Sequence, residues 1–542
     1  PPPQRPPDLW KALPSSGGAF VREGARRCQV LRTPPDRMLL ALLACAPDAE
    51  PPGAETAFSP DTAVEDTAPD DPAEPMDTGP CPTDYVELEQ PSACDGHVAR
   101  DATSYPLSGA ALRVSLPGAA ERVHLDVAAD LGDDGAPDLV VTPWWNIDDT
   151  FSVWVIDASR RGEATSEDAW FSLHWSRLDY GYTHAAATYA PGFFPEDALA
   201  VKAGENPAAW YTFRAPLLPG SELEDADLVV VGQAGSREDA SNVGDAVPAG
   251  DLDGDGLSEL LLPAPRASDG GTSGYSEEGR VYILPGGTTG VVTLDDLTDW
   301  VGGEGDAADC ASWDISEAEA LGDMDGDGHD DLAFAGSMAA GRASAWILRG
   351  PFEGGRRVTE AVARVEAESF YGRSMASGDF DGDGVPDLAL TEDAPPIPGP
   401  DDGLEEAEIA AYVHYGPFDG VREAADGVGL LPTEHDSYVG VWMEPGDFDG
   451  DGFDDLLSIG HAENLALTWG PFCETGPVQD GAVSFETEPD YATPSYGLAA
   501  GADVDDDGLP DLAVRAYSPG VGYPSAVYLV LSGDLPTGEP GP

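Results

Sequence analysis

Apolar residues in this chain fall in short runs separated by glycine, proline and acidic turns. The runs "GRVYILPGG" (279–287), "SAWILRGP" (344–351), "IAAYVHYGP" (409–417), "LALTWGP" (465–471) and "SAVYLVLSG" (525–533) are rich in aromatic and β-branched residues. Their length and bounding turns predict strands. A second apolar run lies upstream of such strands, as in "LLLPAP" at 260–265, "LAFAGS" at 332–337 and "LAVRAY" at 512–517. A weaker strand follows, as in "RVTEAVARVE" and "GAVSFETE", and a short apolar segment opens the unit, as in "YGRSMASG" and "YGLAAGA". Helix-period runs are few, so the pattern predicts four short strands per unit.

An acidic loop joins the first two strands of each unit. It reads "DLDGDGLSEL" from Asp251, "DMDGDGHDDL" from Asp323, "DFDGDGVPDL" from Asp379, "DFDGDGFDDL" from Asp447 and "DVDDDGLPDL" from Asp503. A worn copy, "DLGDDGAPDL", starts at Asp130. From Asp130 to Asp251 is about two periods, so a copy should hide near residue 190. "EDALAVKAGENPAAWYTFRAP" from Glu196 fits its downstream half. With Asp197 in the ninth position, Tyr189, Pro191 and Phe193 occupy the first, third and fifth, so this copy has lost its loop ligands. "GPF" recurs at Gly350, Gly416 and Gly470, at one point of three units.

Seven units of roughly 60 residues indicate a propeller. The fold class expected is all-β: a seven-bladed β-propeller with four-stranded blades over residues 110–533 and a disordered tail over 534–542. The last unit has no fourth strand, whereas "ALRVSL" at Ala111–Leu116 is one strand too many before the first loop. We expect it to complete blade 7 and remove the exposed edges of an open array.

Charge narrows the partners. The 542 residues carry 101 acids against 26 Lys and Arg, a net −75. Such a field repels phosphates, so neither nucleic acid nor an anionic membrane surface is an expected partner, and cations are. Residues 1–37 are basic and precede "MLLALLAC" at Met38–Cys45, which resembles a bacterial lipoprotein signal with Cys45 as the acylated residue. Residues 1–45 are then a leader, and 46–80, acidic, proline-rich and without Lys or Arg, a disordered stalk. Any membrane attachment would be through lipid on Cys45. Residues 81–109 form a small linker holding Cys81 and Cys94, whose spacing suggests a disulfide in an exported chain. Cys310 and Cys473 are left as buried thiols or a long-range bridge.

The loops suit calcium. Oxygen ligands at positions 1, 3, 5 and 9 with a backbone carbonyl at 7 match the hard-ligand preference of Ca²⁺, and glycine at position 6 allows a sharp turn. The expected ligand sets are Asp251, Asp253, Asp255, Leu257 and Glu259; Asp323, Asp325, Asp327, His329 and Asp331; Asp379, Asp381, Asp383, Val385 and Asp387; Asp447, Asp449, Asp451, Phe453 and Asp455; and Asp503, Asp505, Asp507, Leu509 and Asp511. In the first copy Gly132 replaces the third ligand, leaving the incomplete set Asp130, Asp134 and Asp138. An EF-hand would need glutamate at position 12, where Leu262, Phe334, Leu390, Ser458 and Val514 stand. About five structural Ca²⁺ sites are expected, and no other cofactor.

The D-x-D-x-D-G-x-x-D-L loops, Tyr371-Gly372, Tyr496-Gly497 and Pro263–Pro265 resemble FG-GAP repeats. These build the seven-bladed propeller of integrin α-subunits and of many bacterial surface proteins. The resemblance implies ligand binding on the face opposite the calcium loops.

No catalytic residue is assigned. The sequence holds no H-E-x-x-H, G-x-S-x-G, P-loop or helix-opening G-x-G-x-x-G. Trp144, Trp145, Trp154, Trp170, Trp175 and Trp210 lie in the two calcium-poor blades and form either a binding surface or inter-blade core. The loops "PRASDGGTSGYSEEG" and "TEDAPPIPGPDDGLEE" are further variable surfaces. The expectation is an exported, monomeric surface propeller for protein or glycan binding. Its rivals are a secreted polysaccharide lyase or hydrolase and a purely structural envelope protein.

Overall fold

A computed structural model describes the chain from residue 91 to 537, except 95–99, 101, 120–122, 144–149, 177–184, 204–208, 233–244, 265–278, 304–311, 339–342, 368–374, 395–407, 432–438, 441, 460–464, 479–481, 488–493 and 518–523. The leader, Cys45, the stalk, Cys81, Cys310, Trp144, Trp145 and most of the two long loops lie outside the described residues.

The described residues form seven sheets. The innermost strands of blades 1 to 7 are Val123–Ala128, Ala186–Ala190, Val247–Pro248, Ser312–Gly322, Met375–Gly378, Trp442–Gly446 and Pro494–Ala500. Each touches the next, and the last returns to the first, so they close a ring around an axis. Outward from each run three antiparallel strands, in blade 4 Asp331–Met338, Ala343–Leu348 and Ala363–Ala367. The second and third strands are covered by neighbouring blades on both faces, which is why they read as unbroken apolar runs. One cluster joins Leu261 and Val281 of blade 3 to Phe334, Trp346 and Leu348 of blade 4. Another joins Leu457 and Leu467 of blade 6 to Leu512, Val514 and Tyr528 of blade 7. The core therefore lies between blades rather than on the axis.

The ring closes as the pattern predicts. Leu112–Ala119 pairs antiparallel with Pro524–Val530 and supplies the fourth strand of blade 7. Blade 2 is a full blade despite its missing loop motif.

The blades are not simply four-stranded. Six of the seven sheets carry a fifth, parallel strand. In blades 2 to 5 it comes from the link between the third and fourth strands of the next blade: Gly290–Thr293 on blade 2, Gly355–Arg357 on blade 3, Gly420–Glu423 on blade 4 and Gly476–Pro477 on blade 5. Blade 1 lends Gly162–Thr165 to blade 7. Blade 6 receives Thr103–Pro106, which pairs with Val483–Glu486. From Thr103 onward the expected linker thus contributes a strand to the propeller.

The cysteine pairing also differs from that expected. Cys94 is bonded to Cys473, not to Cys81, with the two Cα atoms 5.4 Å apart. Thr103–Pro106 pairs with blade 6, and Cys94 lies beside Phe472–Cys473, its Sγ also meeting the Phe472 carbonyl. Two cysteines 379 residues apart are thereby made neighbours, which local spacing does not reveal.

Candidate metal centres

The five intact loops share one framework. The position-1 aspartate accepts the position-6 amide on Oδ2, at 2.8–3.0 Å, from Gly256, Gly328, Gly384, Gly452 and Gly508. These glycines have φ between 83° and 96°, a region that L side chains avoid. Position 4 is also left-handed: Gly254, Gly326, Gly382, Gly450 and, in blade 7, Asp506 at φ 62°. The position-5 aspartates Asp255, Asp327, Asp383, Asp451 and Asp507 accept the amides of Leu257, His329, Val385, Phe453 and Leu509.

Position 9 ties each loop to its blade. One carboxylate oxygen of Asp331, Asp387, Asp455 and Asp511 accepts the position-2 amide of Met324, Phe380, Phe448 and Val504. The other accepts the amide of Gly350, Gly416, Gly470 or Ser532 at the end of the third strand. Glu259 does the same with Leu252 and Gly286. This explains the recurring "GP": a Cβ on Gly416 would lie 2.6 Å from the Pro386 carbonyl, and one on Gly470 2.5 Å from that of Asp454.

These loops gather carboxylates. Oxygens of Asp323, Asp325 and Asp331 lie within 4.8 Å of one another, as do those of Asp379, Asp381 and Asp387, of Asp447, Asp449 and Asp455, and of Asp503, Asp505 and Asp511. In blade 3 the converging trio is Asp251, Asp253 and Asp255, without Glu259. Burial, reinforced by neighbouring loop aspartates, lifts Asp387 to about 8, Asp455 to about 9 and Asp331 and Asp511 to about 6. Glu259 rises to about 7 for the same reasons. Anions held together in this way call for a counter-cation. The fit to one is carried by Asp251 Oδ1 and Asp379 Oδ1, which are buried without a hydrogen-bond partner. A hard divalent cation satisfies such oxygens where amides do not.

Blades 1 and 2 fill the equivalent space with side chains. In blade 1 the Trp170 indole packs over Gly132, 3.2 Å from where a Cβ would be, and its Nε1 donates to Asp138 Oδ1 at 2.7 Å. Leu131 donates to the other oxygen, and Asp130 accepts Gly132, Asp134 and Gly135 amides. Asp130, Asp134 and Asp138 are not among the converging groups of the described residues. In blade 2 the Tyr189 hydroxyl and Gly192 amide donate to Asp197, while Phe193 and Phe194 are fully buried. Of the calcium-poor blades' tryptophans, Trp154, Trp175 and Trp210 are core residues.

Two features escape motif reading. Asp330 and Asp454, at position 8, accept the position-1 amides of Asp251 and Asp379 in the preceding blade, so consecutive loops are stitched together. Arg100 reaches the blade 6 loop from the N-terminal segment, its two terminal nitrogens on Asp449 and Asp451. No local spacing signals a contact across 349 residues.

A second acidic group lies on the axis. Glu319 accepts a hydrogen bond from the Ser377 amide in blade 5, and Asp126 accepts one from the Tyr189 amide in blade 2. Glu444 interacts with both Asp126 and Glu319, although its strand is adjacent to neither of theirs. Carboxylates on the innermost strands of alternate blades 4 and 1 are therefore within electrostatic reach of Glu444 on that of blade 6.

Comparison with known proteins agrees with this geometry. A model described as "FG-GAP-like repeat" matches residues 323–390 and one described as "FG-GAP repeat" matches residues 243–284. Integrin alpha-4 of Xenopus laevis is 32% identical over 177 residues, covering 31% of this chain and 16% of the relative. Integrin alpha-5 of Xenopus laevis is 28% identical over 224 residues, 39% of this chain and 19% of the relative. Integrin alpha-PS2 of Drosophila melanogaster is 28% identical over 228 residues, 36% of this chain and 15% of the relative. The matched region thus spans less than a fifth of these relatives. The chain carries FG-GAP repeats, built as the blades of a seven-bladed propeller, and over part of its length is similar to integrin α-subunits.

Proposed function

We propose that the chain is an exported, calcium-stabilised propeller that binds a protein or glycan ligand at a cell surface. The observation that carries the metal reading is the repetition of one carboxylate-lined loop at the same point of five blades. Asp379, Asp381 and Asp387, whose oxygens converge, would hold the ion in blade 5, with Asp383 and the Val385 carbonyl completing the expected set; the corresponding residues would hold it in blades 4, 6 and 7, and Asp251, Asp253 and Asp255 would do so in blade 3. The ion supplies positive charge that neutralises the loop; the chain's own amides and left-handed glycines set the loop's shape. This role is structural. Binding then falls to the face away from the metal, as the likeness to integrin α-subunits suggests. Cell-surface placement rests on that likeness and on the disulfide, since such bonds persist in oxidising compartments. A glycan-array and pull-down screen with the full chain, in calcium and in EGTA, tests it. Calcium-dependent capture of one glycan class or protein is the expected result; no capture under either condition would overturn the binding reading.

One observation favours an enzymatic second reading, a polysaccharide hydrolase or lyase: the axial carboxylates Asp126, Glu319 and Glu444. Burial raises Asp126 to about 7 and Glu319 to about 8, values suited to an acid catalyst. Among the described residues, however, the groups acting on these three are backbone amides and one another, with no Lys or Arg. Bond cleavage by the wild type on a polysaccharide panel, lost in Glu319→Gln, would establish this reading over binding.

A further inference from the structure

The five loops differ in how their position-1 and position-3 aspartates are satisfied. In blades 3 and 5, Asp251 Oδ1 and Asp379 Oδ1 have no hydrogen-bond partner. In blades 4, 6 and 7 the equivalent oxygen is taken by loop amides: Asp323 Oδ1 by Gly326 and Asp327, Asp447 Oδ1 by Gly450 and Asp451, and Asp503 Oδ1 by Asp507. The same three loops have an arginine near position 3. Arg349 stands 3.5 Å from Asp325, Arg161 acts on Asp505, and Arg100 contacts Asp449.

Blade 6 is the extreme case. Arg100 Nη1 is on Asp449 Oδ2, and Nη2 is 2.9 Å from Asp451 Oδ2. Its guanidinium also lies over the Trp469 ring, 5.1 Å from the centroid, and Nη1 is 3.4 Å from the Thr537 carbonyl. Only 4% of the Asp449 side chain is exposed, so the contact is shielded from water. The arginine is anchored on both sides, by the Cys94–Cys473 bond before it and by the pairing of Thr103 with Val483 after it.

We propose that Arg100 is a built-in counter-cation of the blade 6 loop, competing with a divalent ion for Asp449 and Asp451. The loop then fills after the open loops of blades 3 and 5, and ion uptake there is coupled to docking of the N-terminal segment. The inference rests on the calcium reading above. Two cations cannot share Asp449 without mutual repulsion, and a fork-shaped charge-assisted contact is among the stronger polar interactions. Removing it should tighten one site by about 10-fold or more.

Calorimetric titration of the EGTA-stripped full chain with Ca²⁺ tests this, using wild type, Arg100→Gln and Arg100→Lys. In Arg100→Gln one site should gain affinity by about 10-fold, with Arg100→Lys in between. Equal isotherms with clear binding in wild type and Arg100→Gln would overturn this inference alone. No binding heat in any protein would overturn the metal reading and this inference together. Melting gives an independent check. Arg100→Gln should lower Tm in EGTA, and the deficit should shrink in saturating Ca²⁺. An equal deficit in both conditions would mean that Arg100 is only a structural contact and would overturn the proposal.

Discussion

Single residues decide whether a loop gathers carboxylates for an ion or fills the space itself. Gly132 and Trp170 act as a pair: loss of the third ligand makes room for an indole that satisfies Asp138. Trp170→Phe removes the donor, leaving a largely buried carboxylate oxygen short of its partner, and also thins the indole packing over Gly132. The expected cost is about 1–3 kcal/mol in urea unfolding; no change would mean that the indole hydrogen bond contributes nothing. At Gly416, an added methyl meets the Pro386 carbonyl and Val385 Cγ1 at 2.6 and 2.9 Å. Gly416→Ala is expected to destabilise by about 1–3 kcal/mol, read by the same measurement. The position-1, 3 and 9 carboxylates were legible in the sequence because their spacing is local. Trp170, the position-8 links and Arg100 were not, because their partners are set by the blade and the neighbouring blade.

At the scale of elements, strand runs and turn residues were enough to find every blade, including blade 2, whose loop had lost its ligands. The fifth strands were invisible because they are short and polar, as in Gly355–Arg357, and acquire meaning only when a neighbour offers an edge. The inner strands carry a cost of their own. Asp126 is raised to about 7 and Glu319 to about 8, burial being the main cause, and Glu444 is raised by burial and by both of them. In the unfolded chain these groups titrate near 4. The folded state therefore holds protons that the unfolded state has released. That stabilisation is full below about pH 4 and is lost as pH rises through about 7 for Asp126 and about 8 for Glu319. With excess calcium present, so that the proposed loop sites stay filled, Tm should fall between pH 5 and 9, and the slope should flatten in Asp126→Asn/Glu319→Gln. An unchanged slope in the double variant would show that the axial carboxylates do not titrate in this window.

For the whole molecule, closure joins the two ends of the propeller. Leu112–Ala119 completes blade 7, Thr103–Pro106 edges blade 6, and Cys94–Cys473 locks the same junction. Deleting residues 103–119 would leave Pro524–Val530 as a bare apolar edge. The expected outcome is a lowered Tm and aggregation on size exclusion; a monomer with wild-type Tm would contradict closure. Closure of blade 7 by Leu112–Ala119 followed from strand counting, whereas the fifth strands and the disulfide did not, since they depend on which blade a distant segment joins. The stability proposed for the wheel depends on the loops being cation sites. Differential scanning calorimetry of the full chain in Ca²⁺ and in excess EGTA tests this most directly. Tm should fall sharply on chelation and recover on addition of Ca²⁺; identical thermograms in both buffers would contradict a cation role for the loops.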